Sequence, residues 1–199
     1  EETLSKRCPF WPAKSVEETQ LLVLIPATVN GQPLIMETLQ TLVRAPRKGS
    51  PIGYKSFELT QYNDRPVQKS RWVLMTHNVL PESCNKSYDE QKALINARNR
   101  EFKTCYEVPP ILDLAVCIFM EFLRTGRRLY SDDPRMHTRG EAEPGHPSVA
   151  GNFSQEGLNI SSYSGANRLV GVAALWNLEV AAPLSLEELD GGSALAEDD

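Results

Sequence analysis

The stretch CYEVPPILDLAVCIFMEFLRTGRRLY, residues 105–130, decides how this chain folds. Two prolines, Pro109 and Pro110, stand directly before its most apolar segment. Pro110 fits the first turn of a helix, where its missing N–H costs nothing. Pro109 before it keeps the chain extended and sets the direction in which the helix starts. Ile111, Leu112, Leu114, Ala115, Val116, Ile118, Phe119, Met120, Phe122 and Leu123 then cover nearly every side of that helix. A helix apolar all round belongs in the centre of a fold, not on its surface. Gly126 releases the chain, and RRLY is expected to begin a strand.

Upstream, TQLLVLIP (19–26) is a short continuous apolar run ended by a proline, which predicts a buried strand. Residues 1–19 are expected to be irregular, with Pro9, Phe10, Trp11 and Pro12 as an aromatic clamp. TVNGQP (28–33) is a turn built on Asn-Gly, and residues 34–45 carry helical spacing of Leu34, Ile35, Leu39, Leu42 and Val43. Residues 54–70 are polar and weakly patterned. RWVLMTHNVL (71–80) predicts a strand by alternation. Ser87, with Glu90 three residues on, forms a capping box that starts a helix over 87–99. Short strands are expected at 136–139, 147–153, 157–163 and 168–176.

Helices first and clustered short strands afterwards, without βα alternation, predict an α+β fold with antiparallel pairing. The expected division is an N-terminal α/β subdomain over 1–69, a second domain over 70–177 and an acidic, Gly-rich flexible tail over 178–199.

Composition narrows the function. With 199 residues, 41% of them hydrophobic and 24% charged, the chain can bury a full core. A net charge of −5 opposes non-specific nucleic-acid binding, which needs a basic face. No apolar run reaches the roughly 18 residues of a membrane span. The start, EETLSKRCPFWPAK, lacks an initiator Met and a signal peptide, as a fragment or processed product would. Cys8, Cys84, Cys105 and Cys117 contain no C-x-x-C pair and read as free thiols of a reducing compartment. Asn85, Asn152 and Asn159 stand in N-x-S triplets, which matter only in a eukaryotic secretory pathway.

The opening stretch also carries a resemblance. YEVPPILDLAVC resembles the strand, Leu-Pro step and helix of the C-type-lectin-like superfamily. That superfamily includes formylglycine-generating enzymes, their non-enzymatic relatives and the variable proteins of diversity-generating retroelements. Val108-Pro109 stands at the Leu-Pro step, and SYDEQKALI stands where the family has its first helix. MHTR (136–139) resembles the family's Tyr/Trp-x-Arg strand, and VGVAALW (170–176) its closing strand. The resemblance covers about residues 70–177 and implies a C-type-lectin-like scaffold of short antiparallel strands and two helices. The whole unit also resembles uncharacterised domains in proteins of obligate intracellular bacteria. The family's acidic helix pattern and its GNVWEW region are missing, and no cysteine follows Cys117 to complete a copper pair.

GLNISSYSGANRLVG (157–171) is the most suggestive polar segment. Tyr supplies amphipathic area at low entropic cost, and Ser and Asn supply adaptable hydrogen bonds. In retroelement variable proteins the resembling segment is the diversified ligand surface; the absence of Lys, Glu, Gln and Met from this window fits that pattern. The expected ligand surface is Asn152, Asn159, Ser161, Ser162, Tyr163, Ser164, Asn167 and Arg168, recognising a protein or glycan without a cofactor. The alternative is a plain β-hairpin loop, which favours the same residues.

A second reading is a metal-dependent enzyme of the same superfamily, using His77, His137 and Asp133, with Asp132-Asp133 as a cation loop or an ordinary turn. A third is a purely structural domain of a larger bacterial effector. Cys105 with His77 or His137 would offer a nucleophile pair, and Cys84 lies in a loop with no flanking group to activate it. Arg44, Arg47 and Lys48 suit a helix C-terminus better than a phosphate site. Glu17/Glu18 and Glu187/Glu188 read as surface charge.

Overall fold

The computed structural model describes residues 3–57 and 65–178. The expected tail lies outside the described residues from residue 179 on.

The chain is mixed α+β. In order, the elements are α1 (Val16–Thr19), β1 (Gln20–Ile25), β2 (Thr28–Val29), β3 (Gln32–Pro33), α2 (Met36–Arg44), β4 (Tyr54–Phe57) and β5 (Arg71–Thr76). There follow α3 (Tyr88–Phe102), β6 (Tyr106–Glu107), α4 (Ile111–Thr125), β7 (His137–Glu143), β8 (His146–Ser154), β9 (Gly157–Ser162), β10 (Val170–Val172) and β11 (Leu175–Leu178). A four-stranded antiparallel sheet runs β1-β5-β11-β6. A five-stranded sheet runs β10-β7-β8-β9-β4. Its inner pairs are antiparallel, but both edge pairs, β10 on β7 and β4 on β9, are parallel.

Residues 105–130 place α4 between the two sheets. α4 packs on β1 of one sheet and on β7 and β8 of the other. Ile111, Leu112, Leu114, Ala115, Val116, Cys117, Ile118, Phe119 and Phe122 are all buried there. Burial on opposite sides is why the helix carries no polar face. Pro110 takes the extended N-cap position, and Gly126 closes the helix at φ 78°, donating its N–H to Phe122 O at 2.7 Å. Gly140 of β7 lets the start of α4 approach: a Cβ there would lie 3.1 Å from Ile111 Cδ1 and from Leu114 Cδ2. The first turn of α4 is also tied to β5, through an ion pair between buried Asp113 and Arg71. Burial raises the Asp113 carboxyl above its ordinary range, against the pull of Arg71.

Three expectations need correction. First, RRLY does not begin a strand. Tyr130 sits at φ 50°, which breaks extension, and its hydroxyl donates to Thr76 O at 3.0 Å. Arg127 instead pairs with Glu121, and Arg128 stacks over Phe122. Second, the strand expected at 168–176 is two strands in different sheets. β10 pairs with β7, then the chain crosses, and β11 pairs with β5. Two buried threonines make the crossing possible. Ala173 N donates to Thr138 Oγ1 at 2.7 Å and Ala174 N to Thr76 Oγ1 at 3.1 Å, so neither N–H is orphaned. Third, residues 1–19 are not wholly irregular: Ser15 and Glu18 form a capping box that starts α1. The capping box expected at Ser87 and Glu90 forms and starts α3.

The expected boundary near residue 70 does not divide the structure. β1 pairs with β5 along its whole length, and β4 completes the sheet of β7–β10. One apolar core includes Leu21, Val23 and Leu39 together with Phe119, Phe153 and Ile160. A smaller core forms around the expected aromatic clamp, where Phe10 meets Tyr106 edge-on with ring centroids 5.0 Å apart.

Candidate functional site

The expected polar surface runs along the length of β9 and into the loop beyond it. Asn152 lies in β8 at φ 47°, next to a break in the β8–β9 register. Asn159 and Ser161 are half-buried on β9, opposite Gly151 and Val149. Ser162, Ser164 and Arg168 are exposed. Tyr163 and Asn167 do structural work. Tyr163 stacks over the Arg139 guanidinium at 5.5 Å. Asn167 accepts Leu169 N at its Oδ1 (2.8 Å) and Asn85 N at its carbonyl (3.0 Å).

Behind this loop lies Arg139, with no exposed surface at all. It donates to Gln91 Oε1 at 3.0 Å, to Gly165 O at 2.9 Å and to Tyr163 O. Gln91, equally buried, passes the network on by donating to Ser83 O at 2.9 Å. A guanidinium offers five donors in a fixed fork, so one side chain can hold two loop carbonyls and a side-chain amide together. The sequence reading placed MHTR in a strand, and its arginine proves to be the anchor of the polar loop.

The two histidines weighed for metal or nucleophilic chemistry stand at different sheets. His77 follows β5, whereas His137 opens β7 in the other sheet. Among the described residues no three His, Cys, Asp or Glu side chains are grouped to hold a metal ion. All four cysteines are free thiols. Burial raises the pKa of Cys84, and it raises that of fully buried Cys117 further, so neither favours the thiolate. Among the described residues no helix is long and apolar enough to cross a membrane.

Burial lowers the His77 pKa below its ordinary 6.5, with the Arg127 charge adding to the effect, and burial likewise lowers His137. Both histidines are therefore neutral in the folded chain at pH 7. As pH falls below 6.5 the unfolded chain takes up protons first, so stability present above 6.5 is lost until the folded histidines also titrate. Imidazole resonances followed by NMR should titrate with midpoints below 6.5, and the melting temperature should fall between pH 7 and pH 5. Midpoints at or above 6.5 contradict this placement.

One concave feature was not foreseen. A groove of about 1170 Å³ runs along the free edge of β1. α4 forms its floor through Val116, Phe119 and Met120, and α2 forms its far bank through Leu39, Leu42 and Val43. Leu22, Leu24, Trp72 and Met120 are the large apolar side chains that stand exposed among the described residues, at 43–48%. All of them line this one groove. Such concentration is unlike the scattered single hydrophobics of ordinary surfaces.

One end of the groove is cationic. Gly49 packs so tightly that a Cβ would lie 2.8 Å from Leu123 O, which brings the loop carrying Arg47 and Lys48 to the end of α4. Arg124 joins them there, with buried Glu121 at 2.7 Å. Among the described residues Arg47 and Lys48 have no acidic partner.

The sequence held little sign of the groove. In QLLVLI (20–25) both faces are apolar, and a strand buried on both sides reads the same as an edge strand with one bare face. Met120 likewise reads as one more core position of an all-apolar helix.

No protein-family model matches the chain, no curated protein matches it, and no solved structure matches its fold.

Proposed function

We propose that this chain is a non-enzymatic binding module and that its ligand lies in the groove between β1, α2 and α4. The observation that carries this reading is the gathering of Leu22, Leu24, Trp72 and Met120 in one concavity. The volume, about 1170 Å³, exceeds the usual 300–1,000 Å³ of small-molecule pockets, which suits a ligand larger than a metabolite.

A second reading follows from the resemblance. It takes the scaffold as C-type-lectin-like and places recognition of a protein or glycan on the loop over Arg139, at Ser162, Ser164 and Arg168. Diversification of residues 157–171 belongs to this reading. Its support is that a buried arginine fixes the loop while leaving those three side chains exposed.

One experiment separates the two. The native chain should bind the apolar anion 8-anilinonaphthalene-1-sulfonate with enhanced emission. Met120→Asp, at an exposed position, should weaken that binding about tenfold or more, the effect of losing one apolar side chain from the site. Arg168→Ala should leave it unchanged. Absence of binding to the native chain overturns the groove reading. Binding insensitive to Met120→Asp but lost with Arg168→Ala moves the site to the loop.

A further inference from the structure

We infer that the groove takes up an extended peptide strand, which adds to the open edge of β1 and carries alternating apolar residues with acidic residues at one end. This rests on the groove being the binding site and names what fills it.

The backbone of β1 supplies the first argument. Gln20 stands opposite Thr76 in the β1–β5 ladder, and His77 N donates to Thr19 O at 2.9 Å. In an antiparallel ladder, hydrogen-bonded pairs alternate with non-bonded ones. The bonded residues of β1 are therefore Leu21, Val23 and Ile25. Leu22 and Leu24 turn their N–H and C=O away from β5, towards the groove. Among the described residues β1 pairs with β5 alone. Unlike most exposed edges, β1 is not blunted by a lysine, a bulge or an internal proline.

The side chains supply the second. Both faces of β1 border the groove, Leu21 and Val23 on one and Leu22 and Leu24 on the other. A strand laid beside β1 alternates its own side chains in the same way. One row meets Met120 of α4, and the other meets Trp72 beside Leu24. Strand addition uses main-chain hydrogen bonds for affinity and such alternating contacts for selectivity. A free aliphatic chain satisfies the apolar walls but leaves the backbone groups of Leu22 and Leu24 covered without partners, which is costly.

Charge supplies the third. Arg47 and Lys48 at one end, without an acidic partner among the described residues, call for carboxylates on the ligand beyond its apolar core. A second copy of the chain is a poorer occupant, because its β1 edge arrives with its own α2 bank on the side that α2 already fills.

The test is a phage-displayed library of random dodecapeptides panned on the whole chain, with selected peptides titrated by fluorescence anisotropy. Enriched sequences should alternate apolar residues with period two and carry acidic residues at one end. Leu22→Pro should weaken them at least about tenfold without lowering the melting temperature, since the N–H it removes serves no bond to β5. Leu24→Lys, which keeps every N–H, should do the same by placing charge in the groove. Peptides with helical spacing, or peptides indifferent to both variants, overturn the strand. No enrichment with retained binding of the apolar dye also overturns it but leaves the groove as the site. Loss of both sinks the groove itself. Dimerisation in sedimentation that Leu22→Pro abolishes assigns the edge to a second copy and overturns the inference.

Discussion

Replacing Arg139 by methionine costs about 3 kcal/mol of unfolding free energy and releases the loop over residues 163–169. The methionine fills much of the space but donates nothing. Gln91 Oε1, Tyr163 O and Gly165 O all lose their donor at once. Buried Gln91 Oε1 left unpaired costs about 1–3 kcal/mol and the part-buried carbonyls of Tyr163 and Gly165 add less, partly offset because a guanidinium no longer has to be desolvated. Arg139→Lys keeps the charge but presents a point donor where a fork is needed, so it should recover less than half of the loss. Urea denaturation gives the stability, and hydrogen exchange at 163–169 reports the loop. Wild-type stability in Arg139→Met, with unchanged loop exchange, would show that the network is decorative.

Phe119→Ala is expected to cost about 3–5 kcal/mol, the usual range for truncating a fully buried phenylalanine. Phe119 has no exposed surface and stands where α4 meets both sheets. Its ring lies edge-on to Phe153 of β8 at 5.8 Å and tilted against Tyr54 of β4 at 5.4 Å. Truncation removes both aromatic contacts and deepens the groove floor. The melting temperature should fall by roughly 10 °C, at about 2–4 °C per kcal/mol for a chain of this size. A loss below about 1 kcal/mol would mean that α4 is not the element joining the sheets.

The sequence was legible where a signal is local. Pro109-Pro110, the apolar residues of 111–123 and Gly126 announced α4 and its central place, because helix start, burial and stop are all written within one segment. Ser87 and Glu90 did the same for α3. What stayed hidden depends on partners far along the chain. V-G-V-A-A-L-W reads as one strand until Thr138 and Thr76 are known to catch the two amides between the sheets. The parallel pairing of β4 with β9 joins residues about a hundred positions apart, so a boundary near residue 70 looked natural. Arg139 was visible as part of a strand, but its burial depends on Gln91 and on the loop it holds. Of the eight polar residues expected to form a ligand surface, Tyr163 and Asn167 are engaged in holding the loop itself. The groove was the least legible feature, because it arises where β1, among the described residues, pairs on one side alone, and no periodicity records an unpaired edge.

Hydrogen exchange at the backbone amides of β1 in the free chain, resolved residue by residue by NMR, tests the central claim most directly. The predicted pattern alternates: Leu21 and Val23 are protected through their bonds to β5, while Leu22 and Leu24 exchange orders of magnitude faster at an open edge. Protection of Leu22 and Leu24 equal to that of their neighbours in the free chain would mean that the edge is already paired, and it would contradict both the open groove and the strand inferred to fill it.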